Sequence, residues 1–203
     1  KVKTPKSHRD SVLFTIPIKE GGSFSWAGSL PEGTMLVLDL DKDYISIPWY
    51  AESQDYTLEQ AGENYYLVSS RKESLQNRFT EFRKEQDRRE TTYNTECRGY
   101  DAITDMEEKV QFSDRMGKMF DENQEYLLSG IRQFAGTQIG DFLADEKLYY
   151  WEVDYVGFTK VMEILDGHMT ETPMKNRLVA TYDKLKAKQL TGVAPDFELP
   201  DMK

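Results

Sequence analysis

The chain has 203 residues, of which 38% are hydrophobic and 12% aromatic, enough apolar material for one or two cores and too much for a wholly disordered chain. Its 26 Lys and Arg face 36 Asp and Glu, a formal charge of -10, so most of the surface repels a phosphate backbone and nucleic acid is not an expected partner. No stretch approaches the roughly 20 apolar residues that span a bilayer, and the single cysteine, Cys97, excludes an intrachain disulfide, a Cys-x-x-Cys pair and a thiolate zinc cluster within these residues.

From Ser11 to about Ser70 the apolar pattern has period two. Val12, Phe14, Ile16 and Ile18 fall on one sheet face, as do Phe24 with Trp26 and Ile45 with Ile47 and Trp49. Glu20-Gly21-Gly22, Pro31-Glu32-Gly33, Asp41-Lys42-Asp43 and Ala61-Gly62-Glu63-Asn64 separate these runs and carry the residue types that tight turns require. Met35 to Leu40 is apolar on both faces and predicts a central strand, whereas Tyr56-Thr57-Leu58 predicts a half-exposed one. About six antiparallel strands in a small sandwich or open barrel are expected.

The pattern changes at Ser70-Arg71-Lys72-Glu73, a capping-box sequence, after which Leu75, Phe79 and Phe82 recur at helical spacing. A second start at Thr104 with Glu107 leads into Met106, Val110, Met116, Met119 and Phe120. A further stripe, Leu127, Leu128, Ile131 and Phe134, ends at Gly136, and another apolar run extends from Leu148 to Leu165. The last helix is bounded by Thr172 and Pro173 at its start, by Lys184, Lys186 and Lys188 near its end and by Gly192 beyond it, with Met174, Leu178, Tyr182 and Leu185 as its buried stripe. The expected fold class is α+β: an antiparallel β domain over 1–70 followed by an all-helical domain over 71–190.

Few residues stand out chemically. Cys97 has Arg98 beside it, which favours a thiolate, but no base or oxyanion donor is visible near it, so an incidental loop cysteine is the simpler reading. His8 and His168 lie far apart in ordinary surface positions, and neither has a second histidine or a cysteine at ligand spacing. The run from Tyr149 to Phe158 is dense in aromatics. It reads first as core and second as a groove for sugar rings or a peptide, with Tyr149, Tyr150, Trp151 and Tyr155 as its ligand-facing residues. Glu152 and Asp154 within it form a weak candidate acid/base pair. Lys84 to Glu90 mixes charges as a solvated helix face does. No phosphate loop, Gly-x-Ser-x-Gly elbow or His-Glu-x-x-His segment occurs, so no catalytic residue, metal ligand or cofactor is expected in this chain.

The end of the sequence is more specific. Gly192-Val193-Ala194-Pro195-Asp196-Phe197-Glu198-Leu199-Pro200-Asp201 resembles the opening of the peroxiredoxin-like and membrane-tethered thioredoxin-like families, where Ala-Pro-Asp-Phe leads into the first short strand. In the front part, Asp10-Ser11-Val12, then Gly22-Ser23-Phe24-Ser25-Trp26-Ala27-Gly28 and Tyr44 to Leu58 resemble the uncharacterised β-rich domain that precedes such redox domains in bacterial envelope lipoproteins. Little chain precedes Asp10, so the opening strand of that domain is expected to be missing or shortened.

The resemblance implies that residues 191–203 are a linker and the first residues of a truncated thioredoxin-like domain whose active-site cysteines lie downstream of Lys203. The chain itself is then a non-catalytic accessory region of an exported thiol-disulfide oxidoreductase on the periplasmic side of the cell envelope, as a lipoprotein whose N-terminal anchor has been removed. It would position the redox domain or its substrates, or dimerise through its helices. The expected partners are the downstream thioredoxin-like domain and a second copy of the chain. The competing expectation is a self-sufficient envelope protein that binds a glycan or peptide through the Tyr149 to Phe158 aromatics.

Overall fold

A computed structural model describes residues 1–4, 12–17, 25–30, 32–40, 45–150 and 155–189, with the backbone alone for 148–150. Among them, β1 (Val2–Lys3), β2 (Val12–Phe14), β3 (Thr34–Leu40) and β4 (Ile45–Ala51) form a four-stranded antiparallel sheet in the order β2-β1-β3-β4. β5 (Tyr56–Ala61) and β6 (Asn64–Ser69) form a separate hairpin. The protein is therefore α+β, and its described residues form two antiparallel sheets and no closed barrel.

The alternation of β3 explains why one strand serves two cores. Met35 pairs with Tyr50, and both side chains are buried toward the helices. One residue on, Leu36 pairs with Trp49, and Leu38 with Ile47, all buried on the opposite face with Val2, Ala51 and Leu67 of the hairpin. Pro48, which lacks an N–H to donate, lies on β4, the outer strand of this sheet. In the hairpin, Ala61 pairs with Asn64 across a two-residue turn in which Gly62 takes a φ of 63°, the left-handed conformation such turns need. In β5, Tyr56 and Leu58 are half buried and Thr57 is exposed, as the sequence predicts, while Glu59 to Ala61 are exposed.

The first edge differs from expectation. The opening strand is the two-residue β1, but it sits inside the sheet, paired with both β2 and β3, and Val2 is fully buried. The strand beginning at Val12 ends at Phe14. Val12 is exposed, while Phe14 and Ile16 pack on the core. Trp26 lies in a coil segment rather than a strand, and Ile18, Phe24 and two of the expected turns, Glu20 to Gly22 and Asp41 to Asp43, fall outside the described residues.

Five α-helices follow: α1 (Leu75–Cys97), α2 (Met106–Gln133), α3 (Gln138–Tyr150), α4 (Tyr155–Leu165) and α5 (Pro173–Ala187). Phe79 and Phe82 of α1, Leu127, Leu128 and Ile131 of α2, Leu143 of α3, Phe158 and Val161 of α4 and Leu178 of α5 close one core around Phe134, together with Met35 and Tyr50 from the sheet. Each such side chain contributes about 1.5–3 kcal/mol on burial.

The helix boundaries correct the sequence reading in two places. α1 is capped by Ser74, not Ser70: the Ser74 hydroxyl accepts from the Asn77 N–H at 3.0 Å, while Ser70 is exposed and its N–H donates to the Asp55 carbonyl. The stretches starting at Thr104 and Tyr126 are one continuous helix, α2, capped by Asp105 and followed by Gly136 at a φ of 84°. α5 begins at Pro173 with Thr172 as its cap, as expected, while Gly192 lies outside the described residues.

Candidate functional site

A concavity lies on the second face of the four-stranded sheet, between it and the hairpin. It is a cavity of about 740 Å³ whose walls include Leu38, Trp49 and Ala51 from the sheet, Tyr56 and Leu67 from the hairpin, and residues 25–30. Trp49 and Tyr56 meet edge to face at 5.2 Å. Trp26 stacks on Phe14 at 4.2 Å, and Gly28 lies so close to its ring that a Cβ there would come within 2.1 Å of it. Glu32, Glu52 and Asp55 supply the charge of the lining, and among the described lining residues there is no Lys or Arg.

The segment between β4 and β5 is built around Glu52. The Tyr56 hydroxyl accepts from the Glu52 N–H at 2.6 Å and donates toward the Glu52 carbonyl at 2.9 Å. The Glu52 carboxylate sits at the start of α1, accepting from the N–H groups of Leu75 at 3.3 Å and Gln76 at 3.0 Å, where the helix dipole favours an anion. The same carboxylate accepts from Gln54 Nε2 at 2.9 Å. That bond fixes the Gln54 amide with Oε1 as its remaining acceptor. Gln54 Oε1 and Trp49 Nε1 are both buried without a hydrogen-bond partner, and both side chains line the cavity.

α1 closes the seam between β4 and β6 through a buried amide. Gln76 Oε1 accepts from the Tyr50 N–H at 2.6 Å, and Gln76 Nε2 donates to the Leu67 carbonyl at 2.9 Å and to Thr80 Oγ1 at 3.0 Å. The side chain thus satisfies backbone groups on both sheets. Nearby, Tyr66 donates to Asp87 of α1 at 2.6 Å, and burial together with the Asp87 carboxylate pushes its hydroxyl pKa up to about 12. Burial and the neighbouring Glu52 and Glu32 raise that of Tyr50 as well.

The residues singled out in the sequence do not assemble into one site. Trp151, Glu152, Asp154 and His8 lie outside the described residues, as do the side chains of Tyr149 and Tyr150. Tyr155 is half buried and stacks on Tyr182 of α5 at 5.6 Å, with their hydroxyls 3.5 Å apart. Phe158 is fully buried, so these two aromatics pack helices together. Cys97 is the last residue of α1 rather than a loop residue, half buried with its sulfur 3.7 Å from Met116 Sδ. His168 lies in the turn between α4 and α5. Within Lys84 to Glu90, Glu85 holds Arg88 at 2.7 Å and Arg89 at 2.8 Å, and the Arg88 hydrogen bond, helped by Arg89, draws the Glu85 pKa down to about 2 against the upward effect of desolvation.

The acids that sequence reasoning missed are on α3. Asp141 accepts from the Thr170 backbone N–H at 3.0 Å and from its hydroxyl. Asp145 takes a two-pronged bond from Arg177 of α5 at 3.1 and 2.6 Å, and Glu146 pairs with Arg83 of α1 at 2.6 Å. Burial raises the pKa of Asp141 and of Glu146. Each acid ties α3 to a different neighbour. Their spacing at i, i+4 and i+5 was visible, but nothing local marked which acids would be buried.

Among the described residues no group of three or more His, Cys, Asp or Glu is placed to hold a metal ion, and no helix is long and apolar enough to cross a membrane. Comparison of the chain with protein families, with curated proteins and with solved structures finds no match.

Proposed function

We propose that the chain is a non-catalytic accessory region of an exported thioredoxin-like thiol-disulfide oxidoreductase, held at the periplasmic side of the cell envelope as a lipoprotein. Its role is to dock the redox domain encoded beyond Lys203 or to present substrates to it, with self-association through the helices as the variant form. The observation that carries this reading is the tip of the α1–α2 pair. Beyond Arg89, α1 touches α2 through Tyr93 on Phe120 and Cys97 on Met116. At the tip Met106 is 73% exposed, Val110 56% and Tyr100 41%. Met106 and Val110 are one helical turn apart on the same face, so their exposure leaves an apolar surface of the kind a docking partner covers.

The test is the coding sequence immediately downstream of Lys203. A continuing frame with a thioredoxin-like strand and a Cys-x-x-Cys pair is expected; a stop codon at that point overturns the proposal.

A second reading, a self-sufficient envelope protein that binds a glycan or peptide, is favoured by the cavity between the sheets. Its aromatic walls would be Trp26, Trp49 and Tyr56 in place of the Tyr149 to Phe158 run.

A further inference from the structure

We propose that Tyr155 and Tyr182 form a modification site, at which a haem peroxidase with hydrogen peroxide joins the two rings as a dityrosine and locks α5 onto α4. The site is independent of the docking role and of whether a redox domain follows.

The two rings come from different helices, 27 residues apart in the chain. Their centroids are 5.6 Å apart and their planes are inclined by 15°, an offset stack. Their hydroxyls lie 3.5 Å apart. The reactive ortho carbons, Cε1 and Cε2, flank the carbon that carries each hydroxyl, so near-parallel rings with adjacent hydroxyls bring these edges together. Both residues are half buried: the helices hold the rings in place while part of each stays open to an oxidant. Fully buried Phe158, Val161 and Leu178 fix the two helices in the core.

The pairing is selective. Among the described ring contacts, Tyr93 meets Phe120, Tyr100 meets Phe112, Tyr126 meets Phe82 and Tyr56 meets Trp49, so a radical formed on any of these has no second phenol stacked on it. Tyr155 and Tyr182 offer two phenols in one contact. Hydrogen bonds from Thr159 and Tyr155 also lower the pKa of Tyr182, and a phenolate gives up an electron more readily than a phenol.

Each ring loses one electron and its phenol proton to become a phenoxyl radical. The two radicals couple through a Cε–Cε bond, and the hydrogen on each coupled carbon then shifts to the oxygen, which restores both phenols. In sum, two ring C–H bonds break, one C–C bond forms, and the two hydrogen atoms reduce one hydrogen peroxide to two waters. The new bond closes a loop across the α4–α5 turn and so restricts the unfolded chain.

The experiment treats the chain with a haem peroxidase and hydrogen peroxide and follows dityrosine fluorescence in the monomer fraction, with peptide mapping by mass. The expected product is a monomer lighter by two hydrogen atoms, in which the peptide containing Tyr155 is joined to the peptide containing Tyr182, and which unfolds at a higher urea concentration than the untreated chain. Tyr155→Phe and Tyr182→Phe are each expected to lose the monomer fluorescence, and Tyr93→Phe to keep it. Fluorescence that survives in both variants, crosslinks found only between molecules, a different pair of joined tyrosines, or no dityrosine overturns the proposal. If either variant fails to fold, the peptide map of the wild-type product decides. None of these outcomes bears on the reading frame beyond Lys203, so the two proposals fail separately.

Discussion

Asp141 is fully buried, with one carboxylate oxygen bonded to Thr170 and the other unpaired. Burial raises its folded-state pKa despite the Thr170 bonds, so in the window between the unfolded value, about 3.9, and the raised folded value the folded chain binds more protons than the unfolded one. Stability contributed by this group is present at low pH and is lost as pH rises through that window. Asp141→Asn removes the titration, and the difference in unfolding free energy between wild type and variant is expected to shift in the variant's favour as pH rises above about 4. Urea unfolding at several pH values measures it; a pH-independent difference contradicts the assignment. Taking the difference cancels the slopes of Glu146, whose pKa burial raises against Arg83, and of Asp39. For Asp39, burial acts upward but hydrogen bonds from Lys3 and Ser46 outweigh it and lower the pKa. None of this was legible in the sequence, because burial of one acid among 36 Asp and Glu is decided by distant elements. Gln54 carries no local signal for the same reason: its amide is oriented by the Glu52 carboxylate, which the fold brings to the start of α1.

Elements were legible where their signals are local. The central strand β3, apolar on both faces, the alternation of β4, the half-exposed Tyr56 to Leu58 of β5 and the Thr172-Pro173 start of α5 are each legible in neighbouring residues, and each forms. The start of α1 was misplaced because Ser70-x-x-Glu73 matches the capping box, whereas Ser74-x-x-Asn77 does not. The structure prefers Ser74 because Asn77 is needed elsewhere: its side chain accepts from the Ser69 N–H and donates to the Ser69 and Arg71 carbonyls, fastening the end of β6 to the helix. Ser74→Ala should therefore cost about 1 kcal/mol, and Ser70→Ala less than about 0.5 kcal/mol, by urea midpoints at constant m-value. Equal effects would return the cap to Ser70. The unity of α2 is hidden because the polar residues Asp121 to Glu125, of which Asn123 and Gln124 are half buried and the rest exposed, interrupt the apolar stripe.

At the scale of the molecule, sheet and helices share one core through Met35 and Tyr50, and the Met35 N–H donates to Gln138 Oε1 of α3 at 2.9 Å. The sequence pattern changes near Ser70, but this packing crosses the change, and no periodicity in either half could have revealed it. Helical circular dichroism and tryptophan fluorescence are accordingly expected to trace one unfolding transition, and Met35→Ala to lower its midpoint by a loss of about 2–5 kcal/mol. Two separated transitions would mean that the halves fold independently. The Glu52 carboxylate, bonded both to Gln54 on the cavity side and to the first amides of α1, stands at the foot of a helix of 23 residues, about 35 Å long. The far end of that helix stands beside Tyr100, Met106 and Val110, so a tilt of about 5° at the foot would displace it by about 3 Å; Phe79 and Phe82, seated in the shared core, and the Arg83–Glu146 pair oppose such a tilt.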